Sequence, residues 1–447
     1  MKKSTKLMTL LMAMVLATGS LAACGSGSDE PSATAAPQES NAGGDNDATG
    51  GTPTDVTLKV WVPQEDTLEY SGYEEGLTKH MCDEFNKAQS KWNVKVDIKP
   101  VAEGDAADSV NKDPSKAADV MMVAGDNLVS LVDKGLLSSI TVEGVEDVKA
   151  NNPELAISGA TFHNDAANAD LLYGVPFSPN TWFMYYDKSK YSEEEVKSLE
   201  TMMAKDIKDT KYNFSMPIDN GWYAPAFFFA AGCTLFGEDG LDPDSCDFNS
   251  EAGVKAGKYI MDLSKNSKFF AEVDENVGLN YLKDGSLAAW CGGTWNAEAV
   301  QKGLGDNYAA TVMPTIKIDG KDVSLKPYSS YKYLAVNKAS ANAEAAQDLA
   351  VWLGGEQCQT DRLTARETAP TWNSVSESDA AKNSPAVAAA VAQGAAGYTQ
   401  PGIAKMSNTW DAVKAFVTWA KGKDAKEADL QSELNKLQKN ILANLKS

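Results

Sequence analysis

Three tryptophans in this sequence stand in short segments of small and polar residues. The segments are Gly221-Trp222-Tyr223, Gly293-Thr294-Trp295-Asn296 and Asn408-Thr409-Trp410-Asp411. An indole ring outside an apolar run is available to a ligand, and it buries a large area at a small cost in side-chain entropy. Sugar rings present flat faces of C–H groups that suit such a contact. The alternative for each ring is packing inside its own domain, which we favour for Trp61 and Trp352 because both lie inside predicted regular elements.

The common catalytic signatures are missing from the sequence. It has only two histidines, and it contains no His-Glu-x-x-His motif, no Gly-x-Ser-x-Gly motif and no phosphate-cradling loop. His80 lies beside the apolar face of a predicted helix, which favours packing over chemistry. A glycoside hydrolase is the enzyme alternative, because it needs two acids roughly 5 to 9.5 Å apart and the chain has many acids. We predict that the chain is not an enzyme and uses no metal or cofactor.

The beginning of the chain has the features of an export signal. Met1-Lys2-Lys3 supplies positive charge, an apolar stretch covers residues 7–16, and Leu21-Ala22-Ala23 precedes Cys24. This stretch is shorter than the roughly 20 residues of a membrane-spanning helix. The segment ending in Cys24 resembles the lipobox of bacterial lipoproteins. The resemblance implies a signal peptide over residues 1–23 and a lipid on Cys24, which would anchor the protein at the extracellular face of the cell membrane.

Composition separates a linker from the folded part. Residues 25–54 contain no aromatic or branched aliphatic side chain, so we predict a disordered linker over residues 24–54. The chain carries 41 basic and 62 acidic residues, which argues against nucleic acid as a partner. Five cysteines follow Cys24, and an odd number without close pairs is typical of neither a disulfide scaffold nor a zinc site. We favour free thiols, and a bridge between Cys233 and Cys246 is the alternative.

The hydrophobic pattern after residue 54 indicates an α/β fold. A strand over residues 58–62, a helix over 77–88, an alternating strand over 94–98 and an apolar strand over 118–123 follow one another. This order predicts a parallel sheet. Further strands are predicted near residues 182–186, 287–290 and 331–336, and a long helix ends the chain. Because the folded part is too long for one ordinary core, we expect two lobes.

Several segments match a known family in their order and spacing. They are residues 118–126 (Ala-Asp-Val-Met-Met-Val-Ala-Gly-Asp), 173–176 (Tyr-Gly-Val-Pro), 185–188 (Tyr-Tyr-Asp-Lys), 284–289 (Asp-Gly-Ser-Leu-Ala-Ala), 292–295 (Gly-Gly-Thr-Trp), 311–315 (Thr-Val-Met-Pro-Thr) and 405–410 (Lys-Met-Ser-Asn-Thr-Trp). With them the chain resembles the family 1 extracellular solute-binding proteins, and among these the maltose and maltodextrin binders. The resemblance implies a two-lobed, periplasmic-binding-protein-like fold with a hinge of crossing strands and a ligand cleft between the lobes.

The resemblance also implies the ligand-binding residues. The matching positions are Trp222, Trp295 and Trp410 for stacking, Tyr223 as the substitute if the match is shifted by one residue, and Glu65 and Asp126 for hydroxyl bonding. For the two acids the alternative is a solvated loop position. The chain departs from the family at four positions, where charged residues are replaced by Asp66, Asn127, Asn180 and Asn220. These departures leave fewer charged partners for the ligand.

The lobe boundaries and the function follow from the same resemblance. We expect crossings near Pro176, Pro314 and Gly354, with a first lobe of residues 55–178 plus 316–353 and a second lobe of residues 179–315 plus 354–447. The chain would be the lipid-anchored binding component of an ABC importer, which delivers an oligosaccharide to the permease subunits. Three tryptophans favour a linear α-glucan over a monosaccharide, since one ring cannot stack on all three. A binder of another oligosaccharide, a polyol or a peptide is the main alternative, and a structural surface protein is a weaker one.

Overall fold

The computed structural model describes residues 52–271 and 275–446 of the chain. The predicted signal peptide, the predicted lipidation site Cys24 and nearly all of the predicted linker lie outside these ranges. Within the described ranges, every helix is too short or too polar to cross a membrane.

The strands form two mixed sheets and two small hairpins. Their bounds are β1 (Thr54–Val62), β2 (Trp92–Pro100), β3 (Val120–Ala124), β4 (Leu137–Ser138), β5 (Thr161–Asn164), β6 (Ala169–Leu172), β7 (Val175–Asn180), β8 (Phe183–Asp187), β9 (Phe214–Met216), β10 (Phe269–Ala271), β11 (Ala289–Gly292), β12 (Tyr308–Thr311), β13 (Thr315–Ile318), β14 (Lys321–Ser324), β15 (Tyr328–Asn337) and β16 (Tyr398–Thr399).

Helices cover both sheets. Their bounds are α1 (Leu77–Ala88), α2 (Glu103–Lys112), α3 (Gly125–Asp133), α4 (Val145–Ala150), α5 (Glu154–Ser158), α6 (Leu199–Ala204), α7 (Pro225–Ala230), α8 (Glu251–Ser264), α9 (Glu275–Lys283), α10 (Ala297–Leu304), α11 (Ala343–Leu353), α12 (Glu356–Arg366), α13 (Asn373–Ser376), α14 (Asp379–Asn383), α15 (Pro385–Ala396), α16 (Trp410–Ala420) and α17 (Leu430–Asn444).

The first lobe is built on a seven-stranded sheet. Its main order is β16-β15-β3-β1-β2, and β4 and β7 also pair with β15. Strand β1 is parallel to both β2 and β3, as the strand–helix–strand pattern predicted, whereas β15 runs antiparallel to β3 and β7. Helix α1 packs on this sheet with Leu77, Met81 and Phe85, which are spaced by four residues and buried. Each such side chain contributes about 1.5 to 3 kcal/mol to folding.

The second lobe is built on a five-stranded sheet with the order β10-β9-β11-β8-β12. Strand β8 has the continuous apolar run Phe183-Met184-Tyr185-Tyr186, which is buried on both faces. Phe183 and Tyr185 belong to one hydrophobic cluster, and Met184 and Tyr186 belong to another. Helices therefore cover both sides of this sheet, which explains why the run shows no polar alternation.

The chain crosses between the lobes in three places. Between β7 and β8 it leaves the first core after Phe177 and enters the second core at Trp182. Along β15 it returns, because Tyr328 lies in the second core and Tyr333 in the first. Helix α12 forms the third crossing and carries Cys358 in the first core. The mixed α/β architecture with crossing strands agrees with the predicted fold class.

The hairpin β13–β14 packs with the second lobe. Its Ile316 and the following Leu325 are buried in the second core. The predicted return to the first lobe at residue 316 lies before this hairpin, whereas the structure places the return within β15. The sequence analysis did not predict the hairpin, whose two strands are only four residues long and contain a single buried residue.

Cys82, Cys233, Cys246 and Cys358 are free, buried thiols. Cys233 and Cys246, the pair for which a bridge was the alternative, are therefore separate thiols. Burial is the main cause that raises the pKa of each to about 12. Such thiols behave as small apolar side chains.

Candidate functional site

A cleft of about 600 Å³ lies between the two lobes. All six residues predicted to bind the ligand line it, namely Glu65, Asp126, Trp222, Tyr223, Trp295 and Trp410. A larger groove of about 710 Å³ lies on the surface beside α4, α12 and α13 and contains none of them. The convergence of the six residues therefore selects the interlobe cleft as the candidate site.

The two sides of the cleft differ in chemistry. The first lobe contributes Glu65, Glu103, Asp126 and Lys332, which we name the charged wall. The second lobe contributes Trp222, Trp295 and Trp410, which we name the aromatic wall. A ligand between the walls would meet flat apolar surface on one side and hydrogen-bonding charge on the other.

The charged wall is positioned by the carboxyl ends of neighbouring strands. Glu65 lies in a short 3-10 helix, Gln64–Thr67, directly after β1. Asp126 lies in the first turn of α3, directly after β3. Because β1 and β3 are parallel neighbours, their ends deliver both carboxylates to the same edge of the sheet.

Trp222 and Trp410 support each other in the aromatic wall. The ring of Trp222 stacks on Tyr328, with 5.3 Å between centroids and 24° between planes, and it meets the edge of Trp410 at 6.2 Å. Gly221 permits this arrangement, since a Cβ there would lie 2.5 Å from the Cα of Trp410. The glycine beside Trp222 thus has a packing reason, and the two indoles are held at fixed positions.

Trp295 is held by Lys332 of the charged wall and by Arg366 of α12. It lies in the 3-10 helix Thr294–Asn296 after β11. The Nζ atom of Lys332 lies 4.6 Å from its ring centroid, and the same ammonium pairs with Glu103 at 2.7 Å. Arg366 donates a hydrogen bond to the Trp295 carbonyl oxygen at 3.4 Å. These contacts join the two walls on one side of the cleft.

Tyr223 is arranged differently from its neighbour. Its side chain is only 1 % exposed and lies 4.9 Å from the ring of Trp182. Its hydroxyl group donates a hydrogen bond to Glu275 at 2.6 Å. Trp222 therefore presents an indole to the cleft, and Tyr223 holds the Glu275 carboxylate at its edge.

A buried ion network lies directly behind Glu65. The Asp66 carboxylate, 1 % exposed, pairs with Arg362 at 3.0 Å and with Arg366, and Arg366 also lies 3.4 Å from Glu65. Burial alone would raise the pKa of Asp66, but the charges of Arg366 and Arg362 hold it below its usual value. The family pattern has a basic residue at the position of Asp66. Its replacement here does not leave Glu65 without a cation, because Arg366 of α12 lies beside Glu65.

The chain also departs from the family pattern at three positions where a charged residue is replaced by asparagine. These residues, Asn127, Asn180 and Asn220, all line the cleft. The side chain of Asn220 accepts a hydrogen bond from the backbone N–H of Trp222 at 2.9 Å and so shapes the loop under the indole. Asn180 remains available for polar contact with a ligand, since its amide reaches Ser330 only at 3.5 Å.

Asp126 has an unusual acidity. Burial is the largest cause that raises its pKa to about 6, and Glu103 adds to the effect, whereas the backbone N–H groups at the start of α3 oppose it. A raised pKa means that the folded protein holds this proton more tightly than the unfolded chain. The stability contributed by Asp126 is therefore greatest below its ordinary value of 3.8 and declines as pH rises toward 6.

Replacing Asp126 with asparagine should remove this pH dependence. At pH 7.5 we expect the melting temperature of the ligand-free variant to exceed that of the unmodified protein by about 2 to 5 °C. At pH 4 the difference should nearly disappear, because Asp126 is then protonated in the folded state. Thermal unfolding of both proteins from pH 4 to 7.5 measures the difference. A difference in melting temperature that stays constant across this pH range would contradict the raised pKa of Asp126.

Comparison with known proteins identifies the family. Residues 80–389 match the family described as bacterial extracellular solute-binding protein, which covers more than half of the chain. The chain belongs to the bacterial extracellular solute-binding proteins. This membership confirms the prediction of a binding protein rather than an enzyme.

Three relatives of this solute-binding protein show how close the similarity is. The galactooligosaccharide-binding protein of Bacillus subtilis (strain 168) is 29% identical over 348 residues, which cover 75% of this chain and 80% of that protein. A structure solved with acarbose is 34% identical, has a TM-score of 0.80, and covers 88% of this chain and 100% of that one. The maltodextrin-binding protein MalE1 from L. casei BL23 is 27% identical, with a TM-score of 0.73 and coverage of 87% and 99%.

Sequence reasoning about this solute-binding protein missed several residues of the cleft. They are Glu103, Glu275 and Lys332, together with Arg366, which lines a small adjoining pocket that shares Glu65 and Trp295 with the cleft. One signal for Arg366 was present: the chain contains only two arginines, and they stand four residues apart at positions 362 and 366. In a chain whose other cations are lysines, such a pair indicates a buried ion network, for which the guanidinium group is better suited.

Proposed function

We propose that this protein binds a linear oligosaccharide of α-linked glucose units in the interlobe cleft and serves as the binding component of an ABC importer. The observation that carries the proposal is the convergence of three tryptophans and two carboxylates on one cleft between two lobes. The relatives support it, since the names and titles of two of them mention maltodextrin and acarbose.

The geometry suits an oligosaccharide better than a small ion or a monosaccharide. The aromatic wall offers three separate indoles, and each can cover one sugar face. The carboxylates of Glu65 and Asp126 can accept hydrogen bonds from the hydroxyl rim, and charge-assisted bonds of this kind are strong. A cleft volume of about 600 Å³ falls within the range of small-molecule sites.

Closure of the lobes is the proposed mechanism of retention. The two walls belong to different lobes, so a ligand that contacts both holds the lobes together. The crossings at β7–β8, β15 and α12 are the segments in which the backbone would bend. We propose the two lobes of the sequence analysis with one change, namely that β13–β14 moves with the second lobe.

The anchor and the transport partner are part of the same proposal. We propose that Cys24 carries lipid and that the linker over residues 24–54 tethers the binding domain at the extracellular face of the membrane. A binding protein held there would meet the permease subunits without diffusing away. Replacement of Cys24 by alanine should release the protein into the culture medium, and retention in the membrane fraction would contradict the anchor.

A galactooligosaccharide is the second candidate ligand. The Bacillus subtilis relative favours it, since 75% of this chain aligns with a protein named for that ligand. Both candidates present stacked sugar faces and hydroxyl rims, and the aromatic wall serves either of them.

A thermal-shift panel distinguishes the candidates. The protein is heated with maltotriose, maltotetraose, a galactosyl-lactose, cellotriose and a peptide mixture. A ligand that binds only the folded state raises the melting temperature, by the equivalent of about 2.7 kcal/mol at 100 times Kd. We expect the rise with the maltodextrins. A rise with galactosyl-lactose alone would make a galactooligosaccharide, rather than an α-glucan, the ligand. If no sugar raised the melting temperature, the proposal would be overturned.

A further inference from the structure

Three paired strands bring polar side chains together beside Asn180, which lines the cleft. Asn180, at the end of β7, pairs with Ser330 of β15 in antiparallel register. Strand β16 pairs with β15 in parallel register, and the backbone N–H of Gln400 donates to the Ser329 carbonyl oxygen at 3.0 Å. Ser330 therefore lies opposite Asn180 and next to the strand end that carries Gln400.

Gln400 is the unusual member of this group. Its side chain is 9 % exposed, and neither its amide oxygen nor its amide nitrogen has a hydrogen-bond partner among the described residues. The hydroxyl group of Tyr328, two residues before Ser330 on the same face of β15, is also buried without a partner in the described part of the chain. Buried polar atoms of this kind are costly, and native proteins retain few of them.

The surroundings of Gln400 point toward the cleft. Asp126 begins α3 beside the same part of β15, because Ala124 pairs with Lys332 and a Cβ on Gly125 would lie 3.6 Å from the Cβ of Ser330. The Gln400 amide also acts to lower the pKa of Asp126, although neither amide atom makes a well-formed hydrogen bond among the described residues. Asp126 and Asn180 both line the cleft. A partner for the amide can therefore come from a molecule in the cleft.

We propose that Gln400 is a specificity-determining residue. Its amide forms hydrogen bonds with two neighbouring hydroxyl groups of the sugar unit that is bound at Asp126. A carboxamide offers one acceptor and two donors, and each sugar hydroxyl both donates and accepts. The Oε1 atom accepts from one hydroxyl group while Nε2 donates to the oxygen of the next. This inference rests on the proposed oligosaccharide function and adds a residue outside the six predicted from the sequence.

Replacing Gln400 with methionine tests the inference, because methionine has a similar length and no polar amide. Affinity for maltotriose and for galactosyl-lactose is measured by calorimetry on the unmodified protein and on the variant. We expect the variant to bind the preferred sugar about 5- to 50-fold more weakly, since hydroxyl groups that lose their partners in a closed site are penalised. The melting temperature without ligand should rise by about 1 to 3 °C, because two unpaired polar atoms have been removed.

Gln393 supplies the matched control. It is also buried, but its Oε1 accepts a hydrogen bond from the backbone N–H of Met313 at 2.6 Å, whereas neither amide atom of Gln400 has such a partner among the described residues. Gln393→Met should lower the melting temperature without ligand, in the opposite direction to Gln400→Met.

Each outcome decides a different claim. Sugar binding by the unmodified protein together with unchanged affinity in Gln400→Met would overturn the role of Gln400 and leave the proposed function standing. A fall in melting temperature in Gln400→Met, like that of Gln393→Met, would show a structural role and would also overturn the inference. No binding of either sugar by the unmodified protein would overturn the proposed function and this inference with it.

Discussion

Asp66→Asn is expected to lower the free energy of unfolding by about 3 to 5 kcal/mol. The substitution removes the only charge that pairs with Arg362 in the described structure, and the Arg362 side chain is 1 % exposed. Removing one partner of a buried pair leaves the other charge without compensation, which is the source of this large effect. Urea unfolding, followed by circular dichroism, measures the change.

An exposed ion pair provides the control for Asp66. Glu84 pairs with Lys87 at 2.6 Å, and the two side chains are 36% and 69% exposed. Glu84→Gln should change the free energy of unfolding by less than about 1 kcal/mol, as is usual for surface pairs. A loss of less than 1 kcal/mol for Asp66→Asn would show that the network contributes little.

The same network predicts how the protein responds to acid. The pKa of Asp66 is lowered in the folded state, so its stabilisation is complete above the ordinary value of 3.8 and is lost as pH falls through the lowered pKa. The difference between the unmodified protein and Asp66→Asn should therefore shrink below pH 4. A difference that stays the same from pH 7 to pH 2 would argue against ionised Asp66 in the folded protein.

Trp410→Ala is expected to weaken oligosaccharide binding by about 1 to 3 kcal/mol, or roughly 5- to 150-fold in Kd. The indole packs edge-on against Trp222 and lines the cleft, so its loss removes a stacking surface and loosens the neighbouring ring. Calorimetric titration with maltotriose measures the change.

Trp419 supplies a control on the same helix. It lies nine residues after Trp410 in α16, packs against Phe416 at 5.9 Å, and does not line the cleft. Trp419→Ala should leave the affinity unchanged while it lowers the melting temperature. If both variants lost affinity equally, the effect of Trp410→Ala would come from disturbance of helix α16 rather than from a lost contact with the ligand.

The sequence allowed accurate prediction of features that depend on local pattern. The alternation in β2 and the four-residue spacing in α1 gave those elements, and the glycine beside Trp222 marked a loop that reaches the cleft. The positions of Glu65 and Asp126 were predicted from the family resemblance alone. The structure adds a physical reason, since the parallel neighbours β1 and β3 end at the same edge of the sheet.

Features that depend on distant pairs could not be read in the same way. Asp66 and Arg366 are 300 residues apart, and Lys332 and Glu103 are 229 apart. Neither pair produces a local sequence pattern. Asp66 was therefore interpreted as the loss of a cation beside Glu65, whereas Arg366 of α12 supplies a cation there. Tyr223 is buried beside the half-buried Trp222 because it packs in the second core. Many segments form that core together, so no single segment predicts this burial.

The most direct test of the central claim is a calorimetric titration of the protein with maltotriose. Three indoles at about 1 to 3 kcal/mol each contribute about 6 kcal/mol at the middle of that range, which exceeds the 4.1 kcal/mol that corresponds to a Kd of 1 mM. We predict one site per chain, a Kd well below about 1 mM, and a negative heat-capacity change from burial of the aromatic wall. Titration without saturable heat, in a folded protein at millimolar maltotriose, would contradict the account of this cleft as an α-glucan site.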